Sequence, residues 1–322
     1  MDSPHPPLTI IGDIGADLVM GPIAAWPQIG TETIMERSEL RGGGSAGNAA
    51  LAIRHLGLNA TLISAIGNDD FGRWLGEQFH GLQTALQVCE VETTVSVGIM
   101  HACGERTFFT TRGHLEHLSY PHVIEHLAPA PRPGSIVLLS GVFLLPALRS
   151  RYPDLLAHIK SLGYAIALDT GWPGHHWDAA TRREVEGWIA QCDHLLINEL
   201  EATSIAETTD LDAALHSLAG LLPAGAALVV KAGPRGSIGM QHGVRHESPA
   251  RPAAIFDTIG AGDSFNAGYL LARLRGASMR QAMDAGCDSA AAILVRFPRR
   301  QIRAGELGAC VADSVQQEGE IA

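Results

Sequence analysis

The feature that most constrains this chain is a recurring alternation of short apolar runs with stretches of helical spacing. Leu8-Thr9-Ile10-Ile11 is too short for a helix and is closed by Gly12, whereas residues 46–56 are alanine-rich, helically spaced and closed by Gly57. The pattern then predicts strands at 60–66, 135–139, 165–169, 194–197, 227–231 and 237–241. Helices are predicted at 71–82, 147–162, 211–222, 262–274 and 279–295. Strand and helix in turn mean βαβ units and a largely parallel sheet, an α/β fold. No linker or internal repeat stands out, so the 322 residues read as one unit spanning 1–322.

Two segments, 18–41 and 91–112, interrupt this alternation. In the second, Val95, Val97 and Ile99 alternate with Ser96 and Gly98, and a β-like stretch follows at 107–111. Neither segment can bury a face by itself, so the economical expectation is that they pair as a small β flap, or lid, beside the core.

Charge narrows the possible partners. Lys and Arg number 23 against 34 acidic residues, a formal −11, and Lys160 and Lys231 are the only lysines. No basic stripe exists to bind nucleic acid or an anionic membrane. No run approaches the ~18 uninterrupted apolar residues of a membrane span, and the start lacks a signal-peptide pattern, so a soluble cytoplasmic protein is expected. Cys89, Cys103, Cys192, Cys287 and Cys310 are scattered and odd in number, the pattern of reduced thiols. His114, His117, His122 and His126 lack the spacing and cysteine support of a metal site. His175-His176-Trp177 reads as a loop packed by tryptophan, and the basic stretch 296–303 as a solvated face.

The sharpest local signal is Asp257-Thr258-Ile259-Gly260-Ala261-Gly262-Asp263-Ser264, opening directly onto an apolar helical run. Small residues at a helix start let an anion approach unpaired N–H groups, and the helix dipole favours its charge. Asp263 among those donors could accept a proton from a hydroxyl attacking phosphorus. It could equally be a helix cap. A second cluster, Gly42-Gly43-Gly44-Ser45-Ala46-Gly47-Asn48-Ala49-Ala50, also opens a helix and offers Asn48 to a ligand. It has no lysine at the Walker A position, which excludes a P-loop.

In order and spacing, five motifs together resemble the ribokinase-like (PfkB) carbohydrate kinase family. They are Gly12-Asp13-Ile14-Gly15-Ala16-Asp17, the run from Gly43 to Ala50, Asn198-Glu199-Leu200-Glu201, Lys231-Ala232-Gly233-Pro234-Arg235-Gly236, and Asp257 to Asp263. The resemblance covers residues 8 to about 296. It implies a three-layer α/β/α fold with a β lid, and transfer of the γ-phosphoryl group of ATP to a hydroxyl of a sugar or nucleoside.

By the same resemblance, Asp13 and Asp17 hold substrate hydroxyls, Asp17 matching that position better, with Gly43, Gly44 and Asn48 forming the substrate loop. Asn198 and Glu201 match the motif associated with Mg²⁺ through water, Gly233 and Gly236 the turn near the nucleotide, and Lys231 by its charge approaches the phosphates. Gly260, Ala261 and Gly262 match the anion hole and Asp263 the base. Lid-mediated homodimers occur in the family. Arg296-Phe297-Pro298-Arg299-Arg300 stands where members that bind a monovalent cation carry small residues, so potassium is not implied; Ser45 and Gly104-Glu105-Arg106-Thr107 leave the acceptor unnamed.

Rival readings fail on particular residues. A dinucleotide-dependent oxidoreductase needs a glycine fingerprint leading from the first strand into a helix, and Gly12-Asp13-Ile14-Gly15 leads into the lid instead. A catalytically silent sugar-binding protein would keep Asp17 and Asn48 without needing Asp263.

Overall fold

The computed structural model describes residues 7–102, 106–174, 176–252 and 257–295. The chain begins β1 (Leu8–Gly12), β2 (Gly15–Ile23), β3 (Arg37–Gly43), α1 (Ser45–His55), β4 (Thr61–Gly67), α2 (Asp70–Gln78) and β5 (Gln83–Cys89). It continues through β6 (Val95–His101), β7 (Arg106–Thr110), α3 (Tyr120–His126), β8 (Ile136–Ser140), α4 (Pro146–Arg149), α5 (Tyr152–Ser161), β9 (Ala165–Asp169) and α6 (Ala179–Ile189). The last part holds β10 (His194–Asn198), α7 (Glu199–Ile205), α8 (Leu211–Leu221), β11 (Ala227–Lys231), β12 (Ser237–Gln241), β13 (Val244–Ser248), α9 (Ala261–Leu274) and α10 (Met279–Leu294).

Among the described residues, nine strands form one sheet in the order β13-β12-β11-β10-β9-β8-β1-β4-β5. All neighbours from β11 to β5 are parallel, and β12 and β13 add antiparallel at one edge. Both faces are apolar because both are covered. Ile11, Val137, Leu139, Leu168, Leu195 and Val230 pack under α3, α5, α6, α7 and α8. Their alternates Ile10, Leu62, Leu138, Ala167, Leu196 and Val229 pack under α1, α2, α9 and α10. This is a three-layer α/β/α arrangement.

Some elements depart from the sequence expectation. The helix expected at 147–162 is broken into α4 and α5, with Pro153 seated in the first turn of α5. The helix expected to reach residue 82 stops at Gln78, and β5 follows at the sheet edge, where half-exposed Gln and Thr leave no clear alternation. Helices α6 and α7 and strand β13 carry too few apolar residues to be read from periodicity.

A second sheet, in the order β3-β2-β6-β7, is built from the two interrupting segments. Register fixes its faces. Leu40, Leu18, Val97 and Phe109 lie directly across from one another on one face, and Arg41, Asp17, Ser96 and Thr110 on the other.

Chain order decides where ligands can gather. From β1 the chain adds β4 and β5 on one side, then returns to add β8 to β11 on the other, so the connections diverge between β1 and β8. Crevices outside the carboxyl ends of strands at such a divergence are where open α/β sheets bind ligands.

Candidate active site

The carboxyl ends of five adjacent parallel strands deliver Lys231, Asn198, Asp169, Gly141 and Asp13 to that crevice in spatial order. Asp13 follows β1 and accepts the N–H groups of Ser45 (3.0 Å) and Ala46 (3.2 Å), the first turn of α1. Gly141, just past β8, is constrained by this carboxylate: a Cβ there would stand 1.9 Å from Asp13 Oδ1. Burial pushes the Asp13 carboxyl up to about 6 even though the two amides pull it down. Asp13 therefore ties α1 to the sheet. Asp17, buried on β2, lies against the backbone of Gly43, where a Cβ would fall 2.0 Å from its carboxylate. That close approach explains the glycine.

Helix α1 brings Asn48 to α9, where its Nδ2 donates to Asp263 Oδ2 at 3.0 Å across 215 positions of sequence. Asp263 lies in the first turn of α9, whose N-cap Gly260 is left-handed at φ 72° and makes no side-chain cap. Asp263 is thus not the helix cap, the alternative left open by the motif alone. Surrounding protein, then the neighbouring Asp169, push its carboxyl up to about 8; Lys231 and the Asn48 bond oppose this.

Lys231 Nζ donates to Asp169 Oδ2 at 2.8 Å and to Asn266 Oδ1 at 3.3 Å, and Asn266 Nδ2 donates to the same Asp169 oxygen at 2.6 Å. Burial works against the lysine charge, but Asp169 and Glu201 outweigh it and raise its pKa. Asn198 and Glu201 form a reciprocal capping box at the start of α7, each side chain bonded to the other's backbone N–H at 2.8 Å. Glu201 is buried, and burial and Asp169 raise its carboxyl to about 7. Gly233 and Gly236 bound the turn between β11 and β12; Gly233 is exposed with open space around it.

The structure therefore gathers Asp13, Asn48, Asp169, Lys231, Glu201 and Asp263 at one crevice. Asp169 and Asn266 escaped the sequence reading as site residues. Their signals were available: Asp169 ends a parallel strand, and Asn266 lies three positions beyond Asp263, on the same helix face.

Three of the four clustered histidines have protein partners. His114 is buried between the Thr94 N–H (2.9 Å) and the Ile14 carbonyl (3.0 Å), and burial lowers it to about 4. His122 and His126 lie on one helix with rings 4.3 Å apart and tilted by 38°, each with a backbone partner, and no metal-holding cluster occurs among the described residues. Trp177 packs against Phe143 and Trp172. Cys89, Cys192 and Cys287 are free and buried. Cys103, Cys310, His175, Gly104-Glu105 and the basic stretch 296–303 lie outside the described residues. Among the described residues, no helix is long and apolar enough to cross a membrane.

The sheet divergence, the starts of α1 and α9, and a lysine paired with a buried carboxylate thus lie together. The model of the pfkB family of carbohydrate kinases matches residues 27–297, and the chain belongs to that family. It is a phosphotransferase acting on hydroxyl groups of sugars or nucleosides, and family membership implies use of ATP.

A nucleoside kinase of Methanothermobacter thermautotrophicus is 27% identical over 280 residues, covering 85% of this chain and 84% of that protein. A ribokinase of Haemophilus influenzae is 26% identical, covering 89% and 92%. Among solved structures, a putative ribokinase from Agrobacterium tumefaciens superposes with TM-score 0.77 at 22% identity, covering 98% of this chain and 99% of that one. Arabidopsis thaliana ribokinase complexed with ribose and ATP superposes at 0.72 with 20% identity, covering 96% and 97%. These structures share the fold.

Proposed function

We propose that the protein transfers the γ-phosphoryl group of ATP to a hydroxyl of a sugar or sugar-like polyol. In this reading Asp263 takes the hydroxyl proton, and the backbone N–H groups of Gly260, Ala261, Gly262 and Asp263 hold the charge of the transferred group. The observation that supports it most is the Asn48–Asp263 bond of 3.0 Å, which ties the start of α1 to the first turn of α9. Asn48 then orients the carboxylate while Asp17 and Asp13 accept bonds from other substrate hydroxyls. Lys231, Gly233 and Gly236 line the approach of the nucleotide.

Carboxylates of Asp169, Glu201 and Asp263 gather against one lysine, and burial, then the neighbouring Asp169, raises the carboxyls of Glu201 and Asp263. Among the described residues they do not form a direct metal-holding cluster, so a hard cation here would be held through water. Mg²⁺ on the phosphates, held through water by Glu201 and Asn198, would supply charge neutralisation there.

A coupled assay of ATP consumption over a panel of sugars, polyols and nucleosides tests the reading. Nucleosides belong in the panel because a nucleoside kinase stands among the relatives. No turnover with any acceptor would return the protein to the silent-binder reading.

For the acceptor found, Asp17→Ala is expected to raise its KM about ten- to a hundredfold, one lost charged hydrogen bond at about 1.5–3 kcal/mol, with little change for ATP. Steady-state kinetics in both substrates check this. A change confined to ATP would reverse the two subsites.

We also read the second sheet as a lid over the acceptor and a dimer surface. Its outward row includes Leu40 and Phe109, 45% and 55% exposed, beside Leu18 and Val97. A second copy would cover this row. Light scattering is expected to report a dimer for the wild type and a monomer for Phe109→Asp; a monomeric wild type refutes the surface.

A further inference from the structure

The second sheet touches the turn before α9 at two points that phosphoryl transfer itself does not require. Arg41, near the end of β3, donates from Nη1 to Asp257 Oδ2 at 2.9 Å, and the two side chains are 9% and 1% exposed. The same nitrogen meets Glu39 at 3.2 Å. Arg106 of β7 donates to Thr258 Oγ1 at 2.7 Å. The other Asp257 oxygen accepts the Ile259 N–H at 2.8 Å, so one carboxylate fastens β3 to the backbone that leads into Gly260 and α9.

Energetics make the Arg41 contact stiff. Its Nε and Nη2 are buried with no hydrogen-bond partner among the described residues, so there Nη1 carries the pairing of a guanidinium nearly closed to water. Pulling β3 away from the turn would strip a buried charge of its strongest partner, which costs far more than separating an exposed pair. Arg41 also lies directly across from Asp17 on the sheet face that carries that acidic group. One residue is thereby joined to both the acceptor side and the anion side of the crevice.

We propose that Arg41, assisted by Arg106, is a positioning residue that makes β3 and the 257–260 turn move as one element, coupling the lid to the anion hole. This rests on the kinase reading above. Coupling between two sites is reciprocal, so a ligand at the anion hole must bias the lid even when no acceptor is present. The unknown acceptor is therefore not needed for the test.

Hydrogen exchange is measured on the full chain with and without AMP-PNP and Mg²⁺, no sugar added. In the wild type, amides of 233–236 and 260–264 are expected to slow, and those of 37–43 and 106–110 to slow with them by about fivefold or more, the lower end of usual coupling. In Arg41→Met the nucleotide-dependent slowing at 37–43 is expected to vanish while that at 233–236 remains. A role confined to stability would change ligand-free exchange and leave the nucleotide-dependent difference intact, overturning the proposal. So would a wild type that slows at 233–236 and 260–264 alone. No slowing at 233–236 or 260–264 is a different pattern, and overturns the kinase reading together with the coupling. Should Arg41→Met not fold, Arg106→Ala decides, since Arg106 is exposed: it is expected to lose slowing at 106–110, and unchanged slowing there overturns the coupling.

Discussion

Asp263→Asn is expected to bind nucleotide and acceptor as the wild type does and to lose about 10²–10⁴-fold in kcat, the usual contribution of a general base. The asparagine keeps the size of the side chain and can still meet Asn48, whose amide can turn to present its oxygen, so the loss isolates proton acceptance. The pH profile supplies a second readout. The Asp263 carboxyl is pushed up to about 8 by its enclosure and by Asp169, so in the free enzyme it is largely protonated at neutral pH and cannot act as a base. Wild-type kcat/KM should therefore rise with pH and level off above about 8, and Asp263→Asn should lack that limb. Stopped assays from pH 6 to 9.5 on both proteins check it. An unchanged kcat in the variant assigns the base elsewhere.

How much of this was readable from the chain depends on where each residue's signal lies. Strands β1, β8, β9, β10 and β11 are covered on both faces, so they read as apolar runs, and their carboxyl ends follow directly. Asp13, Asn198 and Lys231 stand at or just past such ends, but their candidate roles come from the resemblance of the motifs that hold them. Edge strand β5 and polar-faced α6 and α7 were missed for the opposite reason: half-exposed elements need little apolar sequence. At the site, the glycine motifs announced helix starts close to an anion, but the partner that sets the Asp263 environment is Asp169, 94 positions away in sequence. Its place at the end of β9 is legible in the chain, but that it faces Asp263 is not; only the sheet order, which places β9 between β8 and β10, brings the two together.

The same holds for Arg41. Next to Gly42 it reads as an ordinary charged residue of a flap, and its meaning lies in Asp257, 216 positions away. Long-range ion pairs of this kind are dictated by topology, so a linear reading finds the elements and misses the ties between them.

Those ties bear most heavily on Lys231. Its side chain is 13% exposed and its ammonium faces Asp169, whose side chain is 8% exposed, with Glu201 and Asp263 close enough that its charge lowers both their pKa values. Lys231→Met is expected to lower unfolding free energy by about 3–5 kcal/mol, the cost of leaving one partner of a buried pair uncompensated. The loss should depend on pH in a definite sense. Glu201, raised to about 7, and Asp263, raised to about 8, contribute stability that is full below their unfolded values near 4 and is lost as pH climbs through 7 and 8. Without the lysine both are pushed higher still, so their ionisation above neutrality costs more. Urea unfolding should then show a smaller deficit at pH 5.5 than at pH 8.5, and the limb of kcat/KM assigned to Asp263 should move to higher pH in whatever activity remains. A deficit that is flat in pH, with the limb unmoved, would mean that Lys231 neutralises Asp169 alone and has no hold on the base.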